Sequence, residues 1–261
     1  MIHTKKNPKL RYFLNTDDAV AEVLDFVTII GILILSFSIL GLVGYPILRN
    51  AQEARYIENT QKSFNVLADN INKVALGKAP SQRMEVKMYG GALKVTGAST
   101  IQINATNSTN KEITLEGPTL LRSLENSVGD TVVAYEGTGV WIKYPTGTVL
   151  NAYKPLFTSH SNKILIPVVY VNGDSYVGGN GISRVTICPD KPCSPEVFFY
   201  SNMSNLTVTI TGNYSSGWKE YFDKKMGWEV QSGSFTVTGR LNTTKNLDVY
   251  ILKSNLYTVI T

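Results

Sequence analysis

From Phe26 to Leu48 the chain carries no charged side chain. A run of that length constrains the fold more than any other feature. About 20 helical residues at ~1.5 Å each cross the ~30 Å hydrocarbon layer of a bilayer. The run is apolar on every face, so an amphipathic fit against a soluble core does not account for it. It also exceeds the ~7–15 apolar residues of a cleaved secretory signal. A buried core helix is the remaining alternative. Thr28, Ser36 and Ser38 are compatible with a span, because their hydroxyls can bond back to helix carbonyls. The expectation is a membrane-spanning helix over about 26–48, with lipid as its partner.

The flanks extend this helix. Lys5, Lys6, Lys9 and Arg11 fall in residues 1–18, read as a basic cytoplasmic leader. Asn15-Thr16-Asp17-Asp18 has capping residues followed by acids, the chemistry of a helix N-terminus. The helix is predicted over 19–76, with an amphipathic stalk at 49–76. Pro46 should kink it without ending it, and Gly41 and Gly44 add pliability. In the stalk Ala51, Ala54 and Ile57 recur at near-heptad spacing, and Phe64, Leu67, Ile71 and Val74 follow at intervals of 3, 4 and 3. That stripe must lie on something apolar, either its own globular domain or neighbouring helices. Gly77 to Pro80 ends the helix. Only half of a helix this long fits in a membrane. Glu22 and Asp25 stand at the start of the apolar run. They either face water at the headgroups, or lateral assembly draws one into hydrocarbon, where a carboxylate is costly unless paired. A terminal amine from a neighbouring subunit would suit such a carboxylate and set the stagger.

From Arg83 the texture changes to short alternating runs of β-branched and polar residues, divided by Gly, Pro, Asn and Asp. Strands are predicted at 84–89, 100–105, 112–116, 131–136, 139–144, 149–153, 164–170, 183–188, 196–200, 206–211, 234–241 and 247–252. Glu136-Gly-Thr-Gly139 and Pro145-Thr-Gly147 read as hairpin turns. Trp218, Phe222 and Met226 share one face of a short helix over 216–227. So many short strands over 83–261 imply two stacked sheets. The fold class is α+β: a long N-terminal transmembrane and amphipathic helix followed by an antiparallel β-rich, sandwich-like domain.

Four basic residues precede the span, and Arg49, Arg55 and Lys62 follow it, a small positive-inside bias. Cys188-Pro-Asp-Lys-Pro-Cys193 is a turn-prone loop whose ends can approach, so a Cys188–Cys193 disulfide fits it. Half of a metal site is the alternative, although no other Cys exists to complete one. A disulfide belongs to an oxidising compartment. Asn-X-Ser/Thr acceptor triplets begin at Asn104, Asn107, Asn202, Asn205, Asn213 and Asn242, all after the span. Chance occurrence in a Thr-rich strand protein competes with glycosylation as their explanation. Loop and triplets together favour a single-pass cell-membrane protein with its C-terminal domain extracellular.

Other features remove function classes. The net charge of +5 comes from 25 Lys and Arg against 20 Asp and Glu, largely interspersed, so nucleic acid is not an expected partner. The only histidines, His3 and His160, rule out a multi-histidine metal site. No Gly-X-Ser-X-Gly motif occurs, and His160-Ser161 reads as a surface loop rather than a catalytic dyad. The stretch 177–182, Val-Gly-Gly-Asn-Gly-Ile, fits no phosphate-loop spacing and reads as a turn. Glu112, Glu116, Asp130 and Glu136 could work as a glycosidase pair only if folding sets two of them ~5 to 9.5 Å apart. No catalytic residue, metal or cofactor is assigned, and the chain is not read as an enzyme.

The stretch Asp18-Ala-Val-Ala-Glu22-Val-Leu-Asp-Phe-Val-Thr-Ile-Ile-Gly31 resembles the N-terminus of archaeal type IV pilin-like proteins. The amphipathic pieces Ala51-Gln-Glu-Ala-Arg55, Asn65-Val-Leu-Ala-Asp-Asn70 and Ala79-Pro-Ser81 are similar to those of an uncharacterised, membrane-anchored set of them, as are Tyr135-Glu-Gly-Thr-Gly-Val140 and Gly217-Trp-Lys-Glu-Tyr-Phe222. The likeness is most specific over about 17–90. It implies that Glu22 is the acid that aligns subunits, that the apolar helix packs in a filament core, and that identical or related pilin-like subunits are partners. The chain departs from that pattern at Asp17-Asp18, where such proteins usually carry Lys or Arg before the processed small residue, here Ala19. Two functions follow as expectations: a pilin-like structural or adhesion protein of the cell surface, or a membrane-tethered extracellular binding module that does not polymerise.

Overall fold

The computed structural model describes residues 14–190, 195–243 and 246–261, with the backbone alone over 14–19. The chain divides into two compact units, Met1–Gln52 and Glu53–Thr261. Helix α1, Leu14–Ala75, belongs to both. In the first unit every side chain from Val20 to Gln52 is exposed. The hydroxyls of Thr28, Ser36 and Ser38 do bond back, to the carbonyls of Leu24 (3.0 Å), Ile32 (2.7 Å) and Ile34 (2.7 Å). The helix continues through Pro46.

In the second unit the same helix lies on the sheet domain. Phe64, Leu67, Ala68, Ile71, Val74 and Ala75 are buried. The contact starts later than the spacing implies: Ala51 and Ala54 are exposed and Ile57 is half-buried. A single methyl group has little apolar area to hold a helix face down. The helix closes with Gly77 at φ +69°. Gly77 N–H reaches Val74 O (3.0 Å) and Lys78 N–H reaches Lys73 O (2.7 Å), the paired bonds of a Schellman cap.

The strands follow in order: β1 Gln82–Thr96, β2 Thr100–Thr106, β3 Glu112–Leu120, β4 Ser123–Val128, β5 Thr131–Glu136, β6 Gly139–Lys143, β7 Val149–Tyr153, β8 Thr158–His160, β9 Lys163–Asn172, β10 Tyr176–Pro189, β11 Glu196–Thr211, β12 Glu229–Ser232, β13 Thr236–Leu241 and β14 Leu247–Ile260. Helix α2, Ser215–Glu220, runs directly into a π-helical stretch, Tyr221–Met226. The larger sheet has β1, β4, β5, β6, β7, β8, β9, β10 and β14. A smaller one has β2, β3, β12 and β13, and β11 belongs to both. Its first part pairs with β14, and the part from Ser204 onward pairs with β2 and β13. The change of sheet falls where Asn202 (φ +58°) and Asn205 (φ +49°) adopt left-handed backbone and the ladders shift register.

Two cores lie on opposite faces of the larger sheet. One packs α1 against Val133, Tyr135, Val140 and Ile142. The other packs Ala134 and Trp141 against the smaller sheet and α2. Alternation along β5 and β6 puts neighbouring residues into different cores, and both strands are buried on both faces.

The sandwich-like expectation holds, with α1 as a third layer; strands β4, β8 and β12 come in addition to the expected ones, and three expected features differ. First, β9 and β14 pair parallel. Second, 196–200 and 206–211 form one bent strand. Third, 177–182 is not a turn but part of β10: Gly178, Asn180, Gly181 and Ile182 pair with Ala92, Tyr89, Met88 and Lys87. Its glycines sit across from a bulge at Gly90-Gly91, where the register shifts. In both chain stretches turn-forming residues serve irregular strands, which local pattern alone does not separate from turns.

Candidate functional site: an uncharged span and a buried carboxylate

The first unit offers one chemistry, exposed hydrocarbon. Among the described residues one helix is long and apolar enough to cross a membrane, and none of its most apolar window is buried by protein. Glu22 and Asp25 are exposed at the N-terminal side of that window. These features fit a single-pass membrane protein.

The second unit holds a buried polar cluster at the tip of the β5–β6 hairpin. Gly137 (φ +56°) and Thr138 (φ +68°) both take left-handed backbone, as a two-residue hairpin turn requires. For Thr138 this is an uncommon conformation for a β-branched residue. Surrounding bonds hold it: its Oγ1 donates to Gly137 O (2.6 Å) and accepts from Leu156 N–H (2.9 Å). Its carbonyl accepts from Asn72 Nδ2 of α1 (3.1 Å), and Asn72 Oδ1 accepts from Tyr135 OH (2.9 Å). The helix is thus latched to the hairpin through a side chain that the apolar stripe does not include.

Glu136 ends β5 with no exposed surface. Its Oε1 accepts from Trp218 Nε1 (3.3 Å), and its carbonyl accepts from Trp141 Nε1 (3.1 Å). Oε2 has no partner of hydrogen-bonding geometry among the described residues, although the Ser99 hydroxyl lies close enough to favour the ionised form. Burial dominates and raises the carboxyl to about 7, with Glu125 adding to the rise. Register explains the coupling to Glu125. Glu125 lies opposite Ala134 on β5, so it shares a sheet face with Glu136, two residues along, at a diagonal spacing of ~7–8 Å. Glu125 Oε1 accepts from Tyr214 OH (2.7 Å) and Ser123 Oγ (2.9 Å). Burial, then Glu125, push the Tyr214 phenol well above its ordinary range. The cluster can hold or release a proton near neutrality, but the Glu136 carboxylate has no surface to offer a solute.

The other residues marked in the sequence are dispersed. Glu112 is exposed, and its Oε1 accepts from Asn104 Nδ2 (3.4 Å). Glu116 is buried, accepts from Thr119 Oγ1 and pairs with Lys253 (2.8 Å). Asp130 is exposed beyond β4, and His160 is exposed at the end of β8. Among the described residues no three His, Cys, Asp or Glu side chains converge as a metal set would. Cys188 is half-buried and unbridged among the described residues, and its Sγ lies 3.9 Å from Tyr257 O. The disulfide expected with Cys193 involves a residue outside the described ones. Of the acceptor asparagines, Asn202, Asn205, Asn213 and Asn242 are exposed, while Asn104 and Asn107 are half-buried. At Asn202 and Asn205 the left-handed backbone supplies a second reason for Asn, which tolerates it better than most residues. Sequence reasoning missed Asn72, Ser99, Glu125 and Tyr214. Their roles depend on partners far along the chain, 63 residues apart for Asn72 with Tyr135 and 89 for Tyr214 with Glu125, and no local pattern carries that.

Residues 19–259 match DUF7289, described as a family of unknown function. The chain belongs to this family. The match takes in the apolar span and the sheet domain together. No curated protein and no solved structure matches the chain.

Proposed function

We propose that this member of DUF7289 is a pilin-like, single-span protein of the cell surface. Its apolar helix anchors it or packs among like helices in a filament core, and its sheet domain is exposed outside the cell for adhesion or envelope structure. The observation that carries the proposal is the exposed, uncharged stretch of α1 from Phe26 to Leu48. Hydrocarbon or other apolar helices must cover it, since among the described residues nothing buries it. Acceptor triplets confined to the chain after the span support the outward placement, as would a Cys188–Cys193 bridge. Glu22 and Asp25 are the assembly candidates: a carboxylate at the start of an apolar rod is the natural partner for a neighbour's terminal amine. The alternative is a tethered binding module. It is favoured by the exposed apolar side chains of Val197 and Phe199 on β11, a surface that a bound partner would cover.

Electron microscopy of the shed surface fraction, with N-terminal mass spectrometry of its subunits, tests the reading. Filaments whose subunits begin near Ala19 support the pilin form. Material that keeps Met1 to Arg11 and stays in the membrane as single molecules supports the tethered module. Full-length protein in the aqueous cytosol without detergent overturns both.

A further inference from the structure

The six acceptor triplets are equivalent as sequence and unequal as structure. A glycan-transferring enzyme needs its Asn-X-Ser/Thr segment lifted clear of the fold, which restricts it to surface loops. Asn104 is interior to β2, paired with Thr207 on one side and Thr114 on the other, and the next residue, Ala105, is buried. Asn202 and Asn205 belong to β11 and are followed by buried Met203 and Leu206. Asn213 is followed by Tyr214 and Ser215, both buried. Lifting any of these triplets breaks a ladder or pulls a core residue into water. Asn242 Nδ2, the nitrogen to be modified, donates to Glu229 Oε2 at 2.8 Å, and its triplet ends at Thr244, outside the described residues.

Asn107-Ser108-Thr109 is different. It lies entirely in the β2–β3 connection, between Thr106 and Glu112. Ser108 and Thr109 are exposed. Asn107 Oδ1 accepts from Thr109 N–H (3.0 Å), Thr109 Oγ1 (2.7 Å) and Lys111 N–H (3.0 Å). Among the described residues nothing accepts from its Nδ2. The carboxamide oxygen is therefore held within the turn by its own triplet's hydroxyl and two backbone N–H groups, while the nitrogen is uncommitted among the described residues. Opening this turn disturbs neither core.

We infer that Asn107 is the principal acceptor of an N-linked glycan on the folded sheet domain. The inference rests on the extracellular placement proposed above. The donor class is a sugar carried on a polyprenyl phosphate, used by a membrane transferase. Nδ2 bonds to the anomeric carbon as the bond from that carbon to the phosphate oxygen breaks. Nδ2 loses one proton, and the polyprenyl phosphate leaves with the electron pair.

The test expresses the full chain, with an Asn-Gly-Thr acceptor tag on a flexible extension after Thr261, in a host that N-glycosylates exported proteins. Glycopeptide mass spectrometry of the membrane fraction then measures occupancy at each site. The expected result is a glycosylated tag, Asn107 occupied at least fivefold more than Asn104, Asn202, Asn205 or Asn213, and loss of the Asn107 glycan alone in T109A. A glycosylated tag with Asn107 bare, or with a strand-borne site occupied more fully, overturns the inference and leaves the placement standing. A bare tag with every site bare shows that the domain never met the transferase, and it overturns the placement and the inference with it. S108P, which blocks the acceptor triplet without touching the Asn107 or Thr109 side chains, repeats the T109A result if loss of the glycan is specific.

Discussion

The two halves of α1 share one backbone and differ in what surrounds them. From Phe26 to Leu48 the helix is apolar on every face, and every side chain is exposed. From Ile57 to Ala75 it is apolar along one stripe, which is buried on the sheet while Glu58, Lys62, Asp69 and Lys73 stay in water. The comparison shows that hydrophobicity alone does not say where a helix goes. The width of the apolar surface does: a stripe can be satisfied by one sheet face, whereas a full cylinder needs a solvent of hydrocarbon or several like cylinders.

Truncation should separate the halves most sharply. F64A empties a fully buried site and is expected to cost about 3–5 kcal/mol of sheet-domain stability. L35A removes comparable apolar bulk from a side chain 62% exposed and should change that stability by less than ~0.5 kcal/mol. Urea unfolding in detergent, followed by the buried Trp141, Trp218 and Trp228, measures both. Equal costs would mean that Leu35 is buried in the folded protein as Phe64 is.

The next effect should run the other way. F37R puts a charge at the middle of the uncharged run, at an insertion cost of about 2.5–3.5 kcal/mol. The fraction of chain resisting alkaline extraction from membranes should fall sharply, while the urea midpoint of the sheet domain stays put. Undiminished membrane retention would remove the span from the argument.

The smallest of the three contrasts a buried carboxylate with the exposed ones at Glu22 and Asp25. Burial raises Glu136 from 4.5 to about 7 in the folded chain, so the folded form keeps a proton that the unfolded form releases. Stability from this group is fully present below about pH 4.5 and declines as pH rises to about 7. E136Q has nothing to ionise. It should be more stable than the parent by about 3 kcal/mol at pH 8, with the gap closing below pH 5. A gap that does not vary with pH would show that Glu136 keeps one protonation state on unfolding.

Much of the architecture was legible before folding. Phe64, Leu67, Ile71 and Val74 repeat at helical spacing, and all four are buried where the spacing put them. Glu136 to Gly139 reads as a hairpin turn and is one. Trp218 and Phe222 share a face and are both buried, although the helix widens to π geometry at Tyr221. Strand β4, Ser-Leu-Glu-Asn-Ser-Val, was not legible. Its Asn126 and Glu125 look like loop chemistry, and only a neighbour on each side, β1 and β5, makes it a strand. The cluster at Glu136 was legible only as one acid among four.

Residue order by itself determined the uncharged span, the helix stripe and the alternation of the sheet domain, because each depends on side chains a few positions apart on one regular backbone. The tertiary structure alone decided that β11 serves two sheets, that β14 lies parallel to β9, and that Glu136 is fully buried beside Trp218 while Glu112 and Asp130 reach water. Those outcomes depend on groups far apart in the chain meeting in space, and local periodicity holds no record of such meetings.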